Sequence, residues 1–503
     1  MLQSLAHQDR RLAPAALWGG VALAAALGLV SSITRMNPMG LIVLVTAPLA
    51  VLVAINVEFG VYCLLSYASV VAFLIRILPP SHAGPVGVAL DLLLVLMGLR
   101  LLLDVVRRRD WGVFKTPMTT PIVIFAIFQI VEVFNPADPT LMFGVMGLRE
   151  TLRILGFFLA IYYFRKASSI RRFMGVWLVT MFAVGAYGIF QHVHGLLWQE
   201  MNWLMTEGNA KTHILHGYIR VFSTVGDAAT FGQLMAMGSL SLFAMALTAR
   251  GWRQWGLLAA SLPMLYGMAV SYSRGCVVAL AAGAVALAIA SRSWKLGIGM
   301  VSVAVIGLAL LVGTGSDKLL DRLQTATDPM QDASFQVRMG YIEEYLPDIM
   351  ARPFGFGIDS SGTDSIKAAG ADADAVEDHD RVMGVPTDNY FFKVALEMGW
   401  VGLLLFTWVH LAALWTAYRA YRLCRSPVLK AVALGNYAVL VSLFVGGFSN
   451  NLHCQKPIAE YFWIAIGLSM VIGQLAARAG SPQQAGSPRV MGPALRLHGA
   501  DVG

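Results

Sequence analysis

The sequence predicts an all-α polytopic integral membrane protein with twelve to fourteen transmembrane helices, and three observations support this. Of its 503 residues, 57% are hydrophobic and only 13% are charged, against about 25% charged in ordinary soluble domains. The mean hydropathy is +0.65, which implies more apolar surface than one soluble core of this size can hide. Long apolar runs also recur along the chain, separated by short polar loops. Together these features exclude a soluble enzyme, a disordered chain and a nucleic-acid binder.

A helix needs roughly 20 mostly apolar residues to cross a bilayer. Fourteen segments qualify, near 14–34, 38–56, 60–78, 86–103, 119–135, 147–164, 173–193, 229–249, 256–272, 275–290, 296–313, 389–417, 429–449 and 457–476. The first is too long for a cleaved signal peptide, and no A-x-A site with a soluble domain follows it. Lys and Arg in short loops set the orientation. Alternating the spans from a cytoplasmic N-terminus puts Arg107, Arg108, Arg109 and Lys115 inside, then Arg165, Lys166, Arg171 and Arg172, then Arg250 and Arg253, then Arg292 and Lys295. Arg419, Arg422, Arg425 and Lys430 follow on the same side, whereas the intervening loops 79–85 and 136–140 carry no Lys or Arg. Basic cytoplasmic loops thereby account for the net charge of +8 without an anionic partner.

This threading divides the chain into six parts: an N-terminal membrane bundle (1–193), a short external loop (194–228), helices around a Ser-Arg-Gly turn (229–313), a large external loop (314–388), C-terminal membrane helices (389–477) and a disordered cytoplasmic tail (478–503). Both termini are then cytoplasmic. An external segment as long as 314–388 is uncommon unless it is functional.

In the large loop, Arg338, Ile342 and Tyr345 fall at i, i+4 and i+7, so a short helix presents them on one face. Pro353-Phe354-Gly355-Phe356-Gly357 ends it with turn chemistry. The Ala/Asp/Gly/Ser-rich stretch that follows reads as a mobile flap containing His379. Thr387 or Asp388 is placed to cap the next membrane helix, and capping is the competing role for Asp388. Glu343 and Glu344 are secondary acid–base candidates and read mainly as a solvated helix face.

The shorter loop holds His192, His194, His213 and His216, beside Trp198 and Trp203. Their spacings fit no strong zinc pattern, so no metal site is expected. Trp203, Tyr341, Tyr345 and Tyr390 are sugar-stacking candidates that packing explains equally well. Four cysteines are too few for a disulfide scaffold; a Cys276–Cys454 bridge is the one external pairing. Glu132 and Arg153 read as an interhelical pair, and Asp91 and Arg100 are the other buried charges.

Arg220 and Arg274 carry more information. Arg220 stands just before a span, and Arg274 lies where two apolar runs meet with almost no loop. A guanidinium at membrane depth is costly and usually faces a partner or a polar cavity. Its planar fork matches phosphate oxygens in a way that Lys cannot. Snorkelling to the interface is the bland alternative.

The motifs Ser273-Arg274-Gly275, Arg338 through Pro353-Phe354-Gly355-Phe356-Gly357, and Asp388-Asn389-Tyr390-Phe391 leading to Glu397-Met398-Gly399-Trp400-Val401-Gly402 occur in that order. With Pro457-Ile458-Ala459-Glu460-Tyr461-Phe462-Trp463, they make residues 215–475 resemble the O-antigen ligase and polysaccharide polymerase (Wzy/WaaL) superfamily of bacterial inner membranes. The resemblance implies a GT-C-like, metal-independent glycosyltransferase that needs no cofactor. Its substrates would be an undecaprenyl-diphosphate-linked glycan donor and acceptor at the periplasmic face. Flippase and chain-length regulator proteins would be further partners beside the lipid bilayer.

The resemblance implies catalytic roles for Asp388, Arg274 and Arg220, with Arg338, Tyr345, Asn389 and Tyr390 at the substrate. Arg220 and Arg274 would hold the diphosphate. Ligases of the family carry a His where this chain has Asp388, which brings it nearer to the exopolysaccharide polymerases. Three functions follow: polymerisation of lipid-linked repeat units, ligation of glycan to lipid A-core or a protein hydroxyl, and lipid-linked glycan transport. Transport is disfavoured because no internal repeat is visible.

Overall fold

The computed structural model describes residues 53, 55–78, 80–137, 141–206, 210–215, 218–293, 333–362, 382, 385 and 387–480. The candidate spans 14–34 and 296–313, nearly all of 38–56, His216, the flap with His379 and the tail beyond 480 lie outside the described residues. Apart from single turns, the described chain forms fourteen helices. They begin with α1 (Val57–Ile77), α2 (Pro80–Arg108), α3 (Thr119–Glu132), α4 (Leu141–Leu152), α5 (Leu155–Tyr163), α6 (Ala167–His194) and α7 (Trp198–Met205). A two-residue ribbon follows, β1 (Ile214–Leu215) antiparallel to β2 (Tyr218–Ile219), with Ile214 opposite Ile219. Then come α8 (Ala228–Thr248), α9 (Trp252–Val270), α10 (Arg274–Ser291), α11 (Ala333–Ala351), α12 (Tyr390–Leu423), α13 (Pro427–Gly446) and α14 (Ile458–Gly480).

The protein is an all-α polytopic membrane protein. Among the described residues, eight helices are long and apolar enough to cross a membrane: α1, α2, α6, α8, α10, α12, α13 and α14. The other described candidates depart from a simple span in identifiable ways. Helix α3 is apolar but has only 14 residues. The segment 147–164 is broken at Arg153 and Ile154 into α4 and α5, and α9 opens on Arg253 and Gln254. Helix α8 is the centre, packed on α9, α10 and α13, and is buried along nearly its whole length. Its Gly, Ala and Ser residues allow close approach, as expected where lipid supplies no hydrophobic drive between helices.

Two ends of the bundle are distinct. At one end, Arg76 of α1 donates to the carbonyls of Ser223 and Val225. There too Val221 N donates to Val270 O, Tyr390 N donates to Gly447 O, and Arg153 donates to Cys454 O. The basic loops gather at the opposite end, where Arg165 pairs with Asp110 at 2.9 Å and one cleft is shared by Arg171, Arg250 and Pro427.

Several sequence expectations need correction. Arg153 does not pair with Glu132; its Nε lies 3.6 Å from Glu460, and Glu132 accepts instead from Asn135 at 2.7 Å. Cys276 and Cys454 are both free thiols: Cys276 Sγ donates a hydrogen bond to Ala229 O, and Cys454 Sγ donates to Glu150 at 3.2 Å. Neither Thr387 nor Asp388 caps α12. Asn389 does, its side-chain oxygen accepting from Phe391 N at 3.0 Å and Phe392 N at 3.2 Å. Asn389→Ala is expected to cost about 1 kcal/mol, read as a lower thermal midpoint of the detergent-solubilised protein. An unchanged midpoint would mean that neighbouring packing alone fixes the start of α12.

Candidate functional site

The site lies at the end of the bundle away from the basic loops, where three segments meet. The first is the stretch before α8. Arg76, buried beneath it, fixes its carbonyls and stacks over Phe222, with the guanidinium carbon 4.5 Å from the ring centroid. Ser223, in a left-handed conformation at φ 54°, is locked by Gln191 Oε1 on its N–H and by its own hydroxyl on Val184 O. Asp227 ends the stretch by capping α8 through Ala229 N and Thr230 N. This scaffold presents Arg220, half-buried, with Nε donating to Ser271 O at 3.2 Å.

The second segment is the Ser271–Gly275 turn between α9 and α10. Tyr272 is held at φ 51°, left-handed and unfavourable for a bulky residue. Ser273 then leads into α10, whose first residue is Arg274. A Cβ on Gly275 would meet Ser449 Oγ at 2.1 Å and Ser449 Cβ at 2.8 Å, so glycine lets the start of α10 dock on the turn that follows α13. Arg220 is thus anchored on the turn that carries Arg274.

The third is α11 with the start of α12. Arg338, Ile342 and Tyr345 share the inward face of α11, as the spacing predicts, while Glu343 and Glu344 are exposed. Arg338 lies 3.5 Å from Asp388, whose carboxylate remains 65% exposed and open to a substrate hydroxyl. Burial pushes the Arg220 guanidinium below its ordinary pKa; Asp227, Cys276 and Asp388 act in the opposite direction, and Arg338 acts with burial. Arg220 therefore senses both members of the Arg338–Asp388 pair.

Asp388 and Arg338 meet because α12 is broken. Gly399 sits at φ 63° inside it, which frees the carbonyls of Leu396 and Glu397. Phe356 N donates to Leu396 O at 3.0 Å, Gly357 N donates to Glu397 O at 2.9 Å, and Val401 N donates to Pro353 O at 3.2 Å. The Pro353–Gly357 motif and the Glu397–Gly402 motif are therefore two halves of one joint. Buried Lys393 tightens it, 2.6 Å from Glu397 and 3.5 Å from Asp359, while Ser361 donates to Glu397. This joint fixes the height of α11, and hence of Arg338, above Asp388.

The remaining candidates are structural. Tyr345 is buried with Ile349, Phe392 and Leu396. Tyr390 stacks on His453 at 4.7 Å and packs edge-on to Phe406. Asn389 is occupied as the cap, and Trp203 lies edge-on to His213 and Phe222. Arg76, Lys393 and Glu397 escaped sequence reading as positioning residues; an Arg inside the apolar run Leu74–Leu78 was the one available signal.

His453 is buried, and among the described residues neither ring nitrogen has a hydrogen-bond partner. Burial, with nearby His410, holds its pKa well below the usual value. In that case the unfolded chain binds a proton that the folded chain refuses. Stability is then complete above about pH 6.5 and is lost as pH falls below it. His453→Phe should keep the stacking on Tyr390 and flatten the fall in thermal midpoint between neutral pH and roughly pH 5.5. Equal slopes in both proteins would show that other groups govern acid sensitivity.

Part of the chain is similar to known proteins. Residues 259–407 match a family model described as O-antigen ligase. That segment carries Arg274, Arg338, Asp388 and the Gly399 joint. The chain is also 26% identical over 194 residues to an O-antigen polymerase of Salmonella muenchen, covering 38% of this chain and 45% of that protein. The chain thus spans about half the length of the curated relative it matches. Both matches support the resemblance to the O-antigen ligase and polysaccharide polymerase superfamily, chiefly over residues 259–407.

Proposed function

We propose that the protein is an inner-membrane glycosyltransferase that polymerises undecaprenyl-diphosphate-linked repeat units into a surface or exopolysaccharide. The observation that carries this reading is the exposed Asp388 carboxylate paired to Arg338, with Arg220 electrostatically coupled to both. A hydroxyl of the acceptor sugar attacks the anomeric carbon of the donor glycan. Its proton passes to Asp388. The bond from that carbon to the diphosphate oxygen breaks, and undecaprenyl diphosphate leaves with the electron pair. Negative charge grows on the leaving group, and preplaced guanidinium groups in a poorly hydrated site oppose it most strongly in the transition state. Arg220 and Arg274 fill that role, and Arg338 orients the carboxylate. No metal enters this scheme.

The helix end that carries the site then faces the periplasm, and the basic end faces the cytoplasm with both termini. The GT-C-like description, the loop boundaries at 194–228 and 314–388, and contacts with flippase and chain-length regulator proteins belong to the same reading. A second acceptor, lipid A-core or a protein hydroxyl, is favoured by the description of the matching family model.

Purified protein given lipid-linked repeat units, without metal or nucleotide sugar, should yield a ladder of products. Asp388→Asn should abolish it. Product only when lipid A-core is supplied would move the assignment to ligation. Counterflow of the lipid-linked glycan in sealed vesicles with no new glycosidic bond would remove the transferase reading.

A further inference from the structure

At the basic end, α6, α8, α9 and α13 frame a cleft of about 1050 Å³, at the upper limit of small-ligand sites, roughly 300–1,000 Å³. Its walls are apolar, built by Met174 and Leu178 of α6, Leu257 of α9 and Val432 of α13. Its mouth carries Arg171, Arg250 and Arg253, all exposed. Among the described residues, no acidic side chain lines the cleft and no ion pair engages these three arginines. Trp252 stands beside them, 79% exposed, as aromatic residues do at the headgroup level of a bilayer. Gly175 faces the same space, and a Cβ built there meets nothing within 4 Å.

Two requirements select the occupant. Three guanidinium groups gathered without a counter-charge repel one another, and an anion among them relieves that repulsion. Apolar walls that open between membrane helices take hydrocarbon. A free anion satisfies only the first requirement and a neutral lipid only the second. Basic pockets between transmembrane helices bind anionic headgroups by this combination.

We propose that the cleft binds an anionic diacyl phospholipid from the leaflet at the basic end. Its phosphate lies among Arg171, Arg250 and Arg253, and an acyl chain lies against Met174, Leu178, Leu257 and Val432. The site stands at the opposite end of the bundle from Asp388 and does not rest on the glycosyltransferase reading.

The test uses full-length protein, delipidated in detergent and then given phosphatidylglycerol, phosphatidylcholine or inorganic phosphate. Retained lipid is counted by native mass spectrometry, and the thermal midpoint is read in parallel. Phosphatidylglycerol should be retained and raise the midpoint, while the other two should do neither. Arg250→Ala with Arg253→Ala should weaken retention by about 10–30-fold. Gly175→Phe should remove one bound phosphatidylglycerol by filling the cleft while leaving every arginine in place. This second variant decides the matter should the double variant fail to elute as a single species. Equal retention of phosphatidylcholine, an equal effect of inorganic phosphate, or unchanged phosphatidylglycerol binding in Gly175→Phe would overturn the proposal. A dimer that dissociates on Gly175→Phe would also overturn it, making the cleft an interface between copies.

Discussion

Arg274→Ala is expected to lower product formation by about 10²–10³-fold, the usual loss when one preplaced donor to developing charge is removed. Arg274→Lys should recover only a minor part, because an ammonium cannot span two phosphate oxygens as a guanidinium does. The geometry supports this asymmetry. Tyr272 at φ 51° and the close approach of Gly275 to Ser449 fix the first turn of α10, so Arg274 has a defined origin. Arg220 reaches the same turn through Ser271 O, and its removal should give a loss of the same order. A fall in kcat with little change in KM would mark a contact made mainly in the transition state. Each variant should keep the wild-type thermal midpoint within about 1 kcal/mol equivalent, since a half-exposed terminal group contributes little to packing. Wild-type ladders from both alanine variants would exclude them from the diphosphate site.

Much of this was legible in the sequence because lipid imposes simple rules. Apolar length marks α1, α2, α6, α8, α10, α12, α13 and α14, and the parity of Lys and Arg separates the two ends of the bundle. The face of α11 that bears Arg338 and Tyr345 follows from helical spacing. The pairing of Arg338 with Asp388, fifty positions apart, does not. It depends on a backbone joint, and no local pattern says which carbonyls a broken helix will free.

The cap of α12 is ambiguous in the sequence for a related reason. Thr387, Asp388 and Asn389 can each cap a helix, and only the backbone turn at Asn389 selects among them. That outcome releases Asp388 from the structural role that competed with catalysis. The burial of Lys393 and Glu397 is not legible either, because an i, i+4 spacing alone does not say which way the pair faces. In the folded chain they also hold Asp359 and Ser361 of the external segment.

Gly399→Val is expected to be the most damaging single substitution outside the charged site. Gly399 has φ 63° and ψ −173°, a region essentially confined to glycine that costs other residues roughly 1–3 kcal/mol. Its Cβ would also lie 2.1 Å from Pro353 O and 2.7 Å from Arg352 O, both backbone atoms that cannot rotate away. To relieve the clash, the Pro353–Gly357 segment must withdraw. Its hydrogen bonds to Leu396 O, Glu397 O and Val401 N would go with it, at about 1 kcal/mol or more for each buried group left unpaired. The expected result is a loss of more than about 4 kcal/mol, with faster proteolysis near Arg352. Activity should fall even at temperatures where the membrane helices stay folded, because Arg338 would no longer be held over Asp388. Gly340→Ala is the matched control. Gly340 is exposed within α11, a Cβ there meets nothing within 4 Å, and the change should stabilise by roughly 0.5–1 kcal/mol. If Gly399→Val matched the wild type in midpoint, protease sensitivity and product ladder, the joint would not be what positions the Arg338–Asp388 pair.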